Sequence, residues 1–446
     1  MEKYINNFTS TSINNYNSIS NQFNLYDELL NISDKYNFDY LEKYFKIYSD
    51  VFNKTNNNNI EIIKIDNKQD IKNIKNTLLN YYKRIIDDNI NEKYDFYQEL
   101  EKVDKYYECK IMEDGYNYTL YILDNNKEYC EKLCFIFCVF INYIKLNKTY
   151  FDNFNKKIFR YMNNQTFPIY LFPNNLERKV NDVKYNCDNY KITNGAFTTS
   201  GVTVYGIHSI NTKREELAKL LIHEMSHLYH IEGSYNHENT LDDIKKNMPF
   251  QDDNTDSECL AELLAVIFNC MNNSLFLEKE YQKSFELFKK MLIIELNYSC
   301  YICNKILKYF NINNKELFNY KKEKISIISP INLYYFLKTI IFINFNFLIN
   351  NTLKDNMLIF NKKIFKKISQ IIKMSQNTFI NILNKYNSDL KENKHMSYIC
   401  LDLDLKKIEL KKDNQKGGYF NSKINSKYYK KYIKYKNKYL AIKLKR

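Results

Sequence analysis

Three of the chain's six histidines fall within "LLIHEMSHLYH", residues 220–230, where His223, Glu224 and His227 stand in the order His-Glu-x-x-His. On a helix, residues i and i+4 share one face a turn apart, so both imidazoles can reach one small cation at about 2.0–2.1 Å. Glu224 directly follows the first histidine. Its carboxylate then lies beside the cation rather than on it, placed to take a proton from a coordinated water. Zinc suits this spacing, and it brings the pKa of such a water to about 7. Five of the six histidines lie between positions 208 and 237, which favours a built site over scattered surface residues.

The third protein ligand must come from elsewhere. His230 is three residues beyond His227 on the same helix and cannot close a tetrahedron with the other two. A metzincin would put glycine and histidine where this chain has His230 and Gly233, so that class is excluded. A carboxylate on a following helix remains. In "DSECLAELLA" Glu258 and Glu262 are i and i+4 on one face. One can ligate zinc while the other hydrogen-bonds a ligand histidine and holds its tautomer. We read Glu258 as the ligand and Glu262 as the support, since the reverse leaves Glu258 without a role.

The elements that must position these residues are legible in part. Thr212 and Glu215 form a T-x-x-E capping box before an apolar face of Leu217, Leu220, Leu221, Leu228 and Ile231, with Gly233 as the stop. Residues 233–254 read as a polar loop. A second capping box, Thr255 to Glu258, opens the next helix. "NIEIIKI", "YNYTLYIL", "FPIYLFPN" and "GVTVYGIHS" read as strands, and residues 127–144 as a long helix with a stripe of Cys130, Cys134 and Cys138. A buried cysteine behaves as a small apolar residue, so this stripe predicts core. The lone CxxC at Cys300 and Cys303 lies in an apolar helix without partners and reads the same way. With only seven glycines and four prolines, the chain is expected to be α+β and helix-rich, with a small mixed or antiparallel sheet.

The two metal helices, "LIHEMSH" and "ECLAELLA", resemble those of the gluzincin metallopeptidases, and their E-x-x-A-E spacing is similar to that of the anthrax lethal factor group. The run "ITNGAFTTSGVTVYGIHSINTKREELAKLLIHEMSH" resembles metallopeptidases of nucleocytoplasmic large DNA viruses. The likeness covers about residues 105–310 and is specific only at the metal helices. It implies a zincin-like core, one zinc on His223, His227 and Glu258, Glu224 as general base, and Glu262 as support. A hydrolase of this type also needs a group to stabilise the oxyanion. Tyr235, His237 and His230 are the candidates; the tyrosine that the lethal factor group places seven residues before its glutamate ligand is Gln251 here. By the same analogy "GVTVYGI" is the edge strand beside the cleft, where an extended polypeptide substrate pairs.

The formal charge of +14 is concentrated at the C-terminus: residues 416–446 hold eleven Lys or Arg and no acid, leaving about +3 for residues 1–415. Tyr428, Tyr432, Tyr435, Tyr439 and Ile442 form one stripe of a basic helix. This tail resembles a Tyr/Lys-rich segment recurring on giant-virus proteins. That implies an address for viral packaging or processing machinery, with Gly417-Gly418 similar to a viral Gly-Gly cleavage site. No apolar stretch marks the N-terminus as a Sec signal, and the most apolar run, 334–349, carries Lys338 and so reads as a buried helix rather than a membrane span. The expected setting is intracellular: host cytoplasm and virion. The expected organisation is a helical region 1–100, a catalytic domain 101–310, a helical region 311–412 and a basic tail 413–446. The function these readings favour is a zinc metallopeptidase. A catalytically silent zinc protein with a structural or virion-associated role stays open, as does a polyanion binder acting through the tail. The nearly balanced body weighs against specific nucleic-acid recognition.

Overall fold

The computed structural model describes residues 2–20, 38–55, 60–85, 98–161, 166–174, 197–200, 205–208, 212–233, 241–251, 255–326, 331–352, 357–358, 360, 362–385 and 402–404. Residues 1–409 form one compact unit; residues 410–446, the second unit, lie outside the described residues, as do Gly417 and Gly418.

A six-stranded mixed sheet runs in the order β1-β2-β3-β4-β7-β6, formed by β1 (Ile60–Ile65), β2 (Tyr106–Glu113), β3 (Tyr116–Ile122), β4 (Phe167–Leu171), β6 (Phe197–Ser200) and β7 (Tyr205–His208). The first three strands are antiparallel neighbours, β3, β4 and β7 are parallel, and β6 turns back antiparallel on the outer edge. Short pairs join β5 (Pro173–Asn174) to β8 (Thr212–Lys213) and β9 (Phe250–Gln251) to β10 (Ile325–Ser326). The hairpin between β2 and β3 turns on Asp114 and Gly115, both at positive φ (51° and 81°), the pairing that a two-residue hairpin loop requires. The fold is α+β and helix-rich.

Alternation splits the sheet's side chains between two layers. On one face Tyr106, with Tyr121 stacked on Tyr170 at 5.0 Å, meets Ile71, Ile74 and Leu78 of the helix α3 (Lys68–Ile85). On the other face Cys109 and Tyr118 meet α4 (Lys127–Lys145), whose Cys130, Cys134 and Cys138 are buried free thiols. Burial drives these thiols well above their ordinary pKa, as expected of core residues. Helices α4 and α5 (Lys148–Tyr161) supply the crossover that a parallel β3–β4 pair needs.

Beyond α4 lies the helical body. Its centre is α8 (Thr255–Leu277), mostly apolar, buried along most of its length and surrounded by α2 (Glu42–Lys54), α6 (Leu217–Leu228), α9 (Tyr281–Tyr309) and α10 (Ile331–Ile343). Among the described residues, Ser257–Leu277 is the one helix long and apolar enough to cross a membrane, and 94% of it is buried inside the protein. The apolar run at 334–349 divides at Asn344 into α10 and α11 (Phe345–Thr352), with Lys338 buried. Cys300 and Cys303 are buried in α9.

Four expectations require correction. The strand 201–209 is not the sheet edge: its described part, β7, is flanked by β4 and β6, and β6 is the outermost described strand. The helix does not start where the capping box at Thr212 and Glu215 would place it. Thr212 is drawn into pairing with β5, residues 214–216 make a 3-10 turn, and α6 starts at Leu217 without a side-chain cap. The polar loop 233–254 contains α7 (Asp242–Lys245) and β9. The boundaries at 100 and 310 do not separate units. β1 from the N-terminal segment is a strand of the central sheet, and from the C-terminal segment α10 packs on α8 and α9 while α12 (Lys362–Leu383) packs on α9 and α10.

Residues 402–404 return to the body as a clasp. Arg214, at the start of the turn leading into α6, lies over the Tyr129 ring at 3.8 Å and is held by Asp124 at 2.7 Å and by Asp404 at 2.8 Å. Asn126 donates to Asp404, Lys132 donates to the Leu403 carbonyl, and the Asp402 amide donates to the Asn7 carbonyl. Truncation after Leu401 should lower stability by roughly 2–6 kcal/mol, four polar contacts at about 0.5–1.5 kcal/mol each, as measured by denaturant unfolding.

Candidate metal centre

Helix α6 forms because Leu217–Leu228 is built of strong helix formers with no glycine or proline. It packs against β6, β7, α4 and α8. Its C-terminus closes as a Schellman motif: the His230 amide reaches the His227 carbonyl at 3.0 Å and the Ile231 amide reaches Ser226 at 3.1 Å. The left-handed residue is His230, at φ 49°, where glycine is usual; Gly233, read as the stop, lies three residues later at φ 84°. The reversal is fixed from the sheet side. Tyr229 shares its hydroxyl with Tyr118 of β3 at 2.9 Å and with Asn155 of α5 at 3.0 Å, and Tyr150 donates to its carbonyl.

Helices α6 and α8 run antiparallel through the site, as their contacts require: Lys219 meets Glu262, His223 meets Glu262 and Glu258, and His227 meets Glu258. His223 Nε2 lies 3.1 Å from His227 Nε2 and 3.2 Å from Glu258 Oε2; His227 Nε2 lies 3.4 Å from Glu258 Oε1. All three donor atoms fall within 4.8 Å of one another. Tetrahedral bonds of about 2.0–2.1 Å place neighbouring ligand atoms roughly 3.3 Å apart, so these residues fit zinc. Glu258 sits in the first turn of α8, but its carboxylate faces the histidines rather than returning to a cap.

Each imidazole has a buried carboxylate behind it. Glu262 Oε2 lies 3.1 Å from His223 Nδ1, and Glu232 Oε1 lies 3.2 Å from His227 Nδ1; both acids are about 1% exposed or less. An ionised carboxylate only accepts, so each Nδ1 carries a proton and each Nε2 is turned to the shared point. Glu232 was not recognised in the sequence. It reaches His227 only because the left-handed turn at His230 folds the chain back, and helical spacing carries no trace of that. Lys219 was also missed: its ammonium lies 2.6 and 2.5 Å from the two oxygens of Glu262, with both side chains 1% exposed.

Exposure is graded across the site. The Glu258 and His227 side chains retain 29% and 17%, whereas His223 and the supporting acids are closed off, so approach is from the Glu258–His227 side. Glu224 is 4% exposed on α6, beside His223. Tyr235 and His237 lie outside the described residues. His230 is engaged in the helix cap, next to Phe154, and is not among the converging donors.

The charges are interlocked. Burial pushes Glu258 up, but the charge of His227 and hydrogen bonds from both imidazoles hold it well below the usual carboxylate range. Burial opposes the charged form of His227, yet Glu258 and Glu232 raise its pKa well above the ordinary value. Glu262 is also pushed up by burial and is held well below its ordinary value by Lys219 and His223. Without a cation the site therefore retains protons that a cation must displace.

No known family's sequence model matches the chain, and no solved structure matches it. A curated relative is an uncharacterized protein of Acanthamoeba polyphaga mimivirus, 29% identical over 225 residues, covering 47% of this chain. The chain spans about half the length of that relative, 55% of it.

Three measurements test the geometry. Zinc affinity should fall as pH is lowered through neutrality, with proton release on binding seen by calorimetry in buffers of different ionisation enthalpy. Glu232→Gln should weaken zinc binding by about 10–100-fold in a chelator competition. His230→Gly should keep zinc binding and raise the unfolding free energy by up to about 1 kcal/mol, since glycine adopts the left-handed conformation without strain.

Proposed function

We propose that the protein is a zinc-dependent metallopeptidase. The observation that carries this reading is the convergence of His223 Nε2, His227 Nε2 and the Glu258 carboxylate, with one side accessible and Glu224 next to the first histidine. A bound zinc would supply a Lewis acid for the peptide carbonyl and lower the pKa of a coordinated water to about 7. His223, His227 and Glu258 would hold it, with Glu258 and His227 on the more exposed side. Glu262 and Glu232 keep the Nδ1 protons in place. Glu224 would take the proton from the attacking water and return it to the leaving amine. Among the described strands β6 is the outermost, and beside α6 its backbone would offer pairing groups to an extended polypeptide.

The Glu-x-x-x-Glu helix beside His-Glu-x-x-His supports the gluzincin reading. The mimivirus relative supports a giant-virus setting, in which the Tyr/Lys-rich tail acts as an address to packaging or processing machinery. A non-catalytic zinc protein would not need Glu224, and that residue is the point at which the two readings part.

The test uses wild type, Glu224→Gln and Glu258→Ala, with bound zinc and cleavage of a mixed peptide library as readouts. Wild type should hold one zinc per chain and cleave peptides. Glu224→Gln should keep zinc and lose about 10²–10⁴-fold in cleavage. Glu258→Ala should lose zinc. A wild-type protein that takes up no zinc sinks the reading, and one that binds zinc without cleaving any peptide returns the site to a structural role.

A further inference from the structure

Behind the converging donors, on the side away from solvent, α6 and α8 share a second set of contacts. Lys219 and His223 are i and i+4 on α6, and both address the same residue of α8. The Lys219 ammonium spans both oxygens of Glu262 at 2.6 and 2.5 Å, while Glu262 Oε2 also lies 3.1 Å from His223 Nδ1. All three side chains are buried, and Lys219 and Glu262 are each 1% exposed.

A glutamate has three rotatable bonds, and a single hydrogen bond to an imidazole leaves the carboxylate free to swing. A grip on both oxygens from a residue one turn away on the histidine's own helix removes that freedom. We propose that Lys219 is a positioning residue of the metal centre, fixing Glu262 so that one carboxylate oxygen stays on His223 Nδ1 and Nε2 stays aimed at the cation. This rests on the zinc reading of the site. Lys219 touches neither cation nor substrate; it acts through Glu262, and Glu262 acts through His223. The closest chemical parallel is a carboxylate–histidine–metal triad extended by one more residue.

Lys338, buried on α10, is a second cation whose charge bears on Glu262. Replacing Lys219 therefore removes the grip on the carboxylate without removing every positive charge near it, so the variant tests positioning.

The experiment compares wild type, Lys219→Met, Glu262→Gln and the double variant as full-length chains. Zinc affinity is measured by chelator competition, and the d–d absorption of the cobalt(II) form reports ligand geometry. Lys219→Met and Glu262→Gln should each weaken zinc binding by about 10–100-fold and alter the cobalt spectrum. The double variant should lose no more than the larger single loss, because the two residues form one chain of action. Far-UV circular dichroism checks folding. If Lys219→Met does not fold, the double variant, which removes both buried charges together, still decides: wild-type affinity and an unchanged cobalt spectrum in it overturn the proposal. So do wild-type affinity in Lys219→Met, or losses that multiply in the double variant as independent packing effects would. Absence of zinc binding in wild type overturns the metal centre itself, a separate and recognisable outcome.

Discussion

The structure depends on a ladder of charge running between two antiparallel helices. Along α6 stand Lys219, His223 and His227; along α8, in reverse, stand Glu262 and Glu258; Glu232 closes the end. Most of these groups are buried, and a buried charge without its partner costs roughly 3–5 kcal/mol. Each rung therefore constrains the next. Moving α8 along its axis by one residue would turn its acids away from α6 and leave Lys219 and Glu262 unpaired. The apolar surface of α8 would tolerate many registers against its neighbours; the ladder selects one. The remainder of the fold reads as support for that register. α9 and α10 enclose α8, the sheet backs α6, and the two ends of α6 are tied down separately, at Arg214 and at Tyr229.

This division explains the unusual burial of polar groups in so apolar a body. Tyr118, Tyr229 and Asn155 are 2.9 to 3.1 Å from one another through the interior, joining β3 and α5 to the point where α6 ends. The left-handed His230 beside this knot carries a backbone strain of about 1–2 kcal/mol. The strained residue is also what turns the chain so that Glu232 meets His227 Nδ1.

The sequence disclosed the site where spacing along a helix decides geometry. His223, Glu224, His227, Glu258 and Glu262 sit at i, i+1 or i+4 steps, and the structure brings the two histidines and two acids Glu258 and Glu262 together. Glu232 and Lys219 were illegible for different reasons. Glu232 depends on a left-handed turn at a residue that is not glycine. Lys219 sits at the same i+4 step, but a lysine on a helix is ordinarily solvated, and only the depth of α8 shows otherwise. Strands fared unevenly. β1, β3 and β4 show in their apolar content. β2 went unread although Asp114-Gly115 announces a hairpin, because its apolar–polar alternation breaks at the end, where Met112 is exposed and Glu113 buried. Domain boundaries failed because the segments before 100 and after 310 bury their apolar faces against the same helices as the middle of the chain.

The clasp at 402–404 has a consequence in time. Arg214 and Asp404 are 190 residues apart, and Asn7 and Asp402 nearly 400. Synthesis runs from the N-terminus, and the parts made first fold first. On a growing chain α6 and α8 are already made while Arg214 still has only Asp124 to hold it. The last support of the turn that leads into α6 arrives only when residues 402–404 emerge. A nascent chain therefore keeps the helix that bears His223 and His227 incompletely anchored, and gains its full framework only after the rest of the body has been made.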